Sequence, residues 1–302
     1  MNISSLAYVI VESTDLLGWK RFAQDVLGMM IVERAEHPDC LFLKMDDFAH
    51  RIIIQRGTQN RFLRAGWQVA HADQFEHSLK RLTGLGIACN QVYGSDLSIR
   101  QVQGCVQLVA PGNIELELCH SPMIDYETMV SSVGVPRFVT GEFGSMGLGH
   151  IAVATPDLAS SHRFFTEVLG FGQTDYMHFY FNPDQVDHPG QGLHFLHCDN
   201  ARHHSIALYE SLEPASGNLV HLMVEVPDMD TLGALMDRVR QHEVKVITPL
   251  GKHTNDQMVS TYVESPAGFA IEYGFGGLQC DWQRFTPTRS AKPSLWGHHW
   301  GV

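Results

Sequence analysis

Short alternations of hydrophobic and polar positions, each followed by a run with helical spacing, mark this chain. In residues 147–171, Ile151 and Val153 alternate with smaller or polar neighbours, which is the period of two typical of a β-strand. Asp157 then stands where a helix N-cap is expected, and Gly170 stands where a helix ends. The apolar stripe between them consists of Phe164, Phe165, Val168 and Leu169. The pattern predicts a strand followed by a helix.

The same pattern occurs near the start of the chain, which indicates an internal duplication. Shifting residues 6–29 by 142 positions places one Val-Leu-Gly triplet on another and aligns several further residues. Later in the chain the offset is 155 positions, as in the pair Glu117 and Glu272. The second half therefore contains 13 additional residues, which must fall between residues 171 and 221.

Strand and helix signals also recur within each half. Leu219–Val226 is strand-like, Asp228 can cap a helix, and residues 231–239 have helical spacing. Four such modules, beginning near residues 4, 64, 146 and 217, extend to about residue 280. We expect the final segment to pack back onto a domain, because it contains Trp282, Trp296 and Trp300.

Length and composition are those of an ordinary globular protein with two domains. The chain has 302 residues, of which 44% are hydrophobic and 18% charged. Residues 131–145 are rich in Gly, Ser and Pro and form the natural linker between the halves. We therefore expect one domain over residues 1–135 and a second over residues 136–302.

Charge and cysteine usage exclude several classes of function. The formal net charge of −12, with no basic stripe, argues against nucleic-acid binding and favours a small-molecule partner. No apolar run approaches the length of a membrane span and no signal peptide is recognisable, so a cytoplasmic protein is expected. The six cysteines include no CxxC pair, so neither a zinc ribbon nor a thiol redox motif is indicated. They are Cys40, Cys89, Cys105, Cys119, Cys198 and Cys280.

Corresponding strand positions of the two halves carry different chemistry. They are His150, His221 and Glu272 in the second half, and Tyr8, Gly66 and Glu117 in the first. A single strand histidine is usually a hydrogen-bonded core residue, and a carboxylate in an apolar strand is costly to bury unless a positive charge compensates it. Two imidazoles and one carboxylate on one face form the facial triad of non-haem Fe(II) oxygen chemistry, which leaves half of an octahedral shell open. The set predicts a divalent metal in the second half alone, with Fe(II) favoured and Mn(II) also compatible.

Four blocks of sequence resemble a known family over nearly the whole chain: FVTGEFGSMGLGH, HFLHCDNARHHSIAL, GKHTNDQMVSTYVESPAG and LWGH. They resemble the type I extradiol ring-cleaving dioxygenases of the vicinal-oxygen-chelate superfamily, in particular the two-domain group that includes 2,3-dihydroxybiphenyl 1,2-dioxygenase. The resemblance implies an α+β fold of duplicated βαβββ modules, with each domain an open barrel of two modules and the first domain free of metal. It also implies meta-cleavage of a bicyclic or substituted catechol by O2, with both oxygen atoms incorporated, in a homo-oligomer such as an octamer.

Candidate acid-base residues surround the predicted metal. His203 and His204 are adjacent in a strand-like segment, so only one of them can face the metal, and periodicity does not decide which. The resemblance implies that His204 is the acid-base residue and that His203 has a supporting or structural part. An imidazole suits this task because its pKa lies near neutrality.

Residues 251–256, GKHTND, have the composition of a polar turn with an Asx cap. The resemblance reverses this interpretation and implies that His253, Asn255 and Asp256 border the active site. It also implies that Tyr262, otherwise an ordinary half-buried strand aromatic, donates a hydrogen bond to a substrate oxygen at the metal.

The predicted substrate pocket and the rival functions rest on fewer residues. Ala152 shares a strand face with His150 and leaves room beside the metal, and Phe195 lies in the segment that lines the distal pocket of the family; either could be plain core. A glyoxalase-like metal isomerase and a non-catalytic ligand-sequestering protein share the expected fold. The former lacks the residues around His204 and Tyr262, and the latter has no need for three metal ligands. The identity of the diol is not readable from the sequence.

Overall fold

The computed structural model describes residues 1–125, 127–179, 190–212 and 217–299. Trp300 and part of the predicted 13-residue expansion lie outside these ranges. The strands of the first half are β1 (Ile3–Ser13), β2 (Met30–Val32), β3 (Cys40–Lys44), β4 (Ile52–Arg56), β5 (Arg61–Val69), β6 (Asn90–Gln91), β7 (Val102–Ala110) and β8 (Ile114–Pro122). Its helices are α1 (Leu16–Arg21), continued by the π-helical segment Phe22–Leu27, then α2 (Ala72–Gly84) and α3 (Gly94–Arg100).

The second half repeats this order of strands, but among its described residues no helix corresponds to α3. After a 3-10 turn at Glu142–Gly144, its strands are β9 (His150–Thr155), β10 (Gly172–Phe179), β11 (Gln191–His197), β12 (Ile206–Glu210), β13 (Leu219–Val226), β14 (Val246–His253), β15 (Val259–Glu264) and β16 (Ala270–Phe275). Its helices are α4 (Leu158–Arg163), continued by the π-helical segment Phe164–Val168, and α5 (Met229–Gln241). Two short strands follow in the tail, β17 (Thr288–Ser290) and β18 (Ser294–Trp296).

The two sheets have the same strand order. The first sheet runs β2-β3-β4-β1-β5-β8-β7-β6, and the second runs β10-β11-β12-β9-β13-β16-β15-β14 with β17 and β18 added at its two ends. In each sheet the first strands of two modules pair antiparallel at the centre, and each pairs parallel with the last strand of its own module. The four modules predicted from the repeat are confirmed, and so are the α+β class and the βαβββ order that the resemblance implied.

Aspartate caps and glycine stops place the helices as predicted. The side chains of Asp15 and Asp157 accept from the backbone N–H three residues on, and Asp228 does the same for α5. Gly170 follows the first helix of the second half with a φ of +84°, and a Cβ there would lie 2.4 Å from the backbone oxygen of Met1. Both facts require glycine, because L-residues rarely adopt this conformation and no space exists for a side chain.

Strand alternation divides each sheet into two faces with different surroundings. One face of both sheets, together with the helices, forms a single hydrophobic core that contains Val9 of β1 and Ile151 and Val153 of β9. The opposite faces line separate interiors, one around Tyr8 in the first half and one around Ala152 in the second. The halves are thus packed back to back, and each interior has its own chemistry.

The linker and the tail both pack against the second half. Phe138 belongs to the shared core, and the Val139 N–H donates to the Glu225 carbonyl. In the tail, Trp282 stacks on His197 at 3.4 Å between ring centroids, and β17 and β18 pair with β10 and β14. The prediction that the tail packs onto a domain is confirmed for its described residues. The boundary between residues 135 and 136 stays a prediction.

Candidate functional site

Three neighbouring strands bring the predicted metal ligands together. At the centre of the second sheet, β13 pairs with β9 on one side and β16 on the other. Met223 of β13 is in register with both His150 and Glu272, and His221 lies two residues before Met223 on the same strand. The strand pairing therefore places all three side chains within one coordination sphere.

The geometry of this triad fits a divalent transition metal. The Nε2 atoms of His150 and His221 are 3.1 Å apart, and they lie 3.2 and 3.3 Å from Oε2 of Glu272. Ligand atoms about 2.1 Å from a metal lie about 3 Å apart when they occupy neighbouring octahedral positions. Across the described part of the chain, this is the one group of at least three His, Cys, Asp or Glu residues whose ligand atoms lie within 4.8 Å of one another.

The electrostatics of the triad also suit a cation. Burial alone would raise the pKa of Glu272, but hydrogen bonds from His150, His221 and His253 hold that pKa well below its usual range. Burial lowers the pKa of His150 to about 4, against the opposing effect of Glu272. The buried carboxylate is therefore charged and the imidazole neutral at pH 7, which are the forms that bind metals.

His253 and Tyr262 are hydrogen-bonded to each other next to Oε1 of Glu272, whereas Oε2 of Glu272 faces His150 and His221. The Nε2 atom of His253 lies 2.8 Å from the Tyr262 hydroxyl and 3.1 Å from Oε1 of Glu272, and its Nδ1 lies 3.1 Å from the Pro293 carbonyl. Burial opposes protonation, yet Glu272, with help from Asp256, raises the pKa of His253 to about 9. Burial and then the charge of Glu272 raise the pKa of Tyr262 well above its ordinary value, so its hydroxyl remains a donor.

The two adjacent histidines lie in the loop before β12 and not in a strand, so the strand-like segment predicted for them was wrong, but only His204 lines the cavity beside the triad. The ring of His204 lies over that of His150, with 4.0 Å between centroids, and it lines the same cavity as the triad. His203 contacts it through their Nδ1 atoms at 3.1 Å but faces a separate space of about 10 Å³ behind His150. Burial and then the neighbouring imidazoles of His150 and His203 hold the pKa of His204 well below its usual range.

A cavity of about 470 Å³ opens beside the triad. Of the residues predicted to form the site, all but His203 line it. Ala152 and Phe195 belong to its apolar part, where Met177, Leu193 and Ala207 also pack. Cavity residues that the sequence reasoning missed are Met177, Leu193, Ala207, Tyr209, Val220, Pro293, His298 and His299. Alternation along β11 and β12 could have found Leu193, Ala207 and Tyr209.

The segment GKHTND is only partly a turn. Residues up to His253 belong to β14, so the polar-turn interpretation was wrong for them. The Asx interaction does occur, because the Met258 N–H donates to Oδ1 of Asp256. Asn255 and Asp256 then reach the cavity from this loop.

The equivalent position of the first half is filled by protein atoms. The Tyr8 hydroxyl donates to Oε2 of Glu117 at 2.7 Å, and Nε of Arg100 donates to the same oxygen at 2.8 Å. A Cβ on Gly66 would lie 2.4 Å from the Tyr8 ring, so a side chain at this position has no space. Burial raises the pKa of Glu117, but Arg100 outweighs it and the net shift is downward. A guanidinium thus balances the carboxylate that a metal balances in the second half.

Comparison with known proteins identifies the family. Residues 147–273 match the Glyoxalase/Bleomycin resistance protein/Dioxygenase superfamily model, and residues 6–57 match the model Dihydroxybiphenyl dioxygenase BphC D1. The iron-dependent extradiol dioxygenase of Rhodococcus jostii is 37% identical, with 100% of this chain and 99% of that protein covered. The chain belongs to the extradiol dioxygenases. The biphenyl-2,3-diol 1,2-dioxygenase of Metapseudomonas furukawaii is 33% identical, with coverage of 99% and 94%.

The fold of this extradiol dioxygenase is shared with solved structures. The crystal structure of BphC, a halotolerant catechol dioxygenase, superposes with a TM-score of 0.88 at 29% identity, covering 99% of this chain and 95% of that one. The predicted enzyme class is confirmed, and so is the predicted iron, because the R. jostii relative is named iron-dependent and three suitable ligands converge here. No helix among the described residues is long and apolar enough to cross a bilayer.

Proposed function

We propose that this extradiol dioxygenase opens the ring of a bicyclic or 3-substituted catechol beside its two hydroxyl groups, using O2. The observation that carries the proposal is the convergence of His150, His221 and Glu272 at ligand spacing on the wall of a largely apolar cavity. Fe(II) held by His150, His221 and Glu272 would leave coordination positions open for the diol and O2 and would supply the redox chemistry that joins them. Mn(II) suits the same donor atoms.

The surrounding residues handle the protons. His204 is a neutral imidazole facing the cavity, so it accepts a proton from the diol or from a polar intermediate and returns it where negative charge develops. Tyr262 remains protonated and donates a hydrogen bond to a substrate oxygen, while His253 holds the tyrosine hydroxyl in place. Asn255 and Asp256 border the diol from the loop after β14, and His203 supports His204 from behind.

The apolar part of the cavity supports a substrate larger than catechol. Ala152 and Ala207 leave space between Phe195 and Met177, where a second ring or an alkyl group can be buried. The M. furukawaii relative is named for a biphenyl diol, which has this shape. We propose the same substrate class here.

We infer the assembly and the location of the enzyme from those of its family. The enzyme acts in the cytoplasm as a homo-oligomer, such as an octamer, and its partners are a small catechol and O2. The six cysteines, which all lie in described ranges, form no disulfide, as suits a reducing compartment.

The reaction is tested by loading the protein anaerobically with Fe(II) and adding catechol, 3-methylcatechol or 2,3-dihydroxybiphenyl under air. We expect stoichiometric O2 uptake and a yellow ring-opened product. The Ala207→Leu variant should lose at least about tenfold in kcat/KM for the bicyclic diol and little for catechol, since the added methyl groups fill the space of the second ring. If no diol consumes O2, the proposed function is wrong. An equal loss on all diols would refute the assignment of the distal ring.

A further inference from the structure

The tail of the chain reaches the metal centre from outside the duplicated modules. Trp296 at the end of β18 is 50% exposed, yet His298, two residues later, is 5% exposed and lines the catalytic cavity. His298 has a φ of +45°, which is uncommon for a residue with a side chain. A Cβ on Gly297 would lie 2.1 Å from the Leu250 oxygen, and one on Gly251 would lie 2.4 Å from the His298 ring. The lack of side chains at Gly251 and Gly297 and the positive φ of His298 thus give this imidazole the space to reach the cavity.

The hydrogen bonds of His298 determine which of its nitrogens carries the proton. Its Nε2 lies 3.0 Å from the Ser260 backbone oxygen, which can only accept, so Nε2 must be the protonated nitrogen. Its Nδ1 then accepts from the Ser294 hydroxyl at 2.8 Å. Burial and then the charge of His253 lower the pKa of His298 to about 4, which agrees with a neutral ring of this tautomer.

This chain of hydrogen bonds ends on the carboxylate ligand. The Ser260 hydroxyl lies 3.3 Å from Nε2 of His298 and donates to Oε1 of Glu272 at 2.7 Å. His253 also contacts Oε1, whereas Oε2 faces the two ligand imidazoles. Glu272 is therefore held with one oxygen turned to the metal. A carboxylate that turned both oxygens to the metal would occupy one of the positions that a diol and O2 need.

His298 also supports the two residues that contact the substrate. Its ring packs on that of His253 with 4.4 Å between centroids and meets the Tyr262 ring edge-on at 5.7 Å. This packing limits the movement of both side chains beside Glu272. The same imidazole therefore reaches the ligand through Ser260 and the diol-binding residues through ring contacts.

We propose that His298 is a positioning residue of the metal centre: through Ser260 it fixes Glu272 as a one-oxygen ligand, and by stacking it holds His253. The inference rests on the proposed function, since it assigns His298 a task at the same metal. Outer hydrogen bonds to metal ligands typically change metal affinity by about 10- to 100-fold. Replacing His298 should therefore weaken metal binding while changing the stability of the fold little.

The test compares the full-length protein with His298→Phe, which keeps a ring, and His298→Gln, which restores an N–H donor. The Fe(II) and Mn(II) dissociation constants are measured anaerobically by competition with a chromophoric chelator, and the Tm is measured without metal. We expect His298→Phe to raise the dissociation constants by about 10-fold or more, with a metal-free Tm within a few degrees of the parent, and His298→Gln to recover most of the affinity. Leu295→Ala, an exposed change in the same tail strand, is the matched control and should leave affinity unchanged.

Failure of this inference is distinguishable from failure of the proposed function. If the parent binds Fe(II) and cleaves catechols while His298→Phe binds metal equally well, the positioning role is wrong and the function stands. If the parent binds neither metal, both proposals fall. Should His298→Phe not fold, Ser294→Ala removes only the hydroxyl that donates to Nδ1 of His298. That variant is expected to weaken metal binding by about threefold, and unchanged binding would overturn the role.

Discussion

At the scale of single residues, corresponding positions of the two halves differ in whether they offer a ligand to a metal. Tyr8 and His150 occupy corresponding strand positions, but the tyrosine hydroxyl is already bonded to Glu117, whereas the histidine presents its nitrogen to a shared point beside Glu272. The convergence of the three proposed ligands was predictable because histidines in apolar strands at repeated positions are conspicuous. His298 was not predictable from the alternation pattern, because it enters the site from a tail that the repeat does not include.

The catalytic part of His204 is tested by His204→Ala. Because His204 stacks on His150 without coordinating the metal in this arrangement, its removal should leave the Fe(II) dissociation constant within about threefold and lower kcat by roughly 10²-fold or more. Steady-state O2 uptake with 2,3-dihydroxybiphenyl and chelator competition measure the two effects. His194→Ala is the control, since His194 is a half-buried histidine of β11 that does not line the cavity. An unchanged kcat in His204→Ala would remove this residue from the mechanism.

At the scale of elements, the positions of the helices that follow the first strands of the modules were predictable from the sequence, whereas the place of α3 was not. The N-caps at Asp157 and Asp228 were readable because a side-chain acceptor preceded a run with helical spacing. The contribution of α3 could not be predicted, because Glu117, the carboxylate that pairs with Arg100, lies 17 positions further along the chain in β8. At the offset of 155 positions, Arg100 corresponds to Asn255, so the same segment supplies a cation to one interior and borders the cavity of the other.

Replacing Arg100 should destabilise the first half without affecting the metal. Arg100→Met leaves Glu117 buried with a charge that the more distant Arg64 only partly balances, which should cost about 3 kcal/mol of the free energy of unfolding. Adding Glu117→Gln to Arg100→Met should recover a large part of the loss. Urea unfolding of the metal-free protein measures both, and the Fe(II) dissociation constant should stay the same. A loss below about 0.5 kcal/mol would show that Arg100 does not balance this carboxylate.

At the scale of the whole molecule, the shared core makes the two halves one packed unit with two unlike interiors. Ile151 and Val153 pack in the same core as Val9, and Tyr273 of the catalytic half donates to the Leu27 carbonyl of the first half. The back-to-back arrangement could not be read from the sequence, because alternation shows that a strand has two faces but not which neighbour covers each of them. It keeps the catalytic cavity on the side away from the other half.

Buried neutral histidines should make the stability of this unit depend on pH. Burial, followed by the charges of Arg34, Arg51, Arg100 and Lys44, holds the pKa of His50 well below its usual value. Below about pH 6.5 the unfolded chain binds a proton that the folded His50 refuses, so the free energy of unfolding falls as the pH drops from 7 to 5. The slope from this residue is at most about 1.4 kcal/mol per pH unit.

The contribution of His50 is isolated by comparing the parent with His50→Phe. Chemical unfolding of both metal-free proteins at pH 7, 6 and 5 should show a smaller loss in the variant, because the phenyl ring fills the space beside Tyr8 and Phe42 without titrating. Equal slopes in the two proteins would show that His50 does not titrate differently in the folded and unfolded states.

The unlike partners of Glu117 and Glu272 have a practical consequence for a ferrous enzyme handled in air. The guanidinium that neutralises the first carboxylate is covalently part of the chain, whereas the ion that neutralises the second can be oxidised or extracted. Oxidation of the ion or its extraction by a chelator therefore changes the charge of one interior only and leaves the other as an intact scaffold. Enzyme inactivated in this way should remain assembled and regain turnover when ferrous salt and a mild reductant are supplied, without a cycle of denaturation.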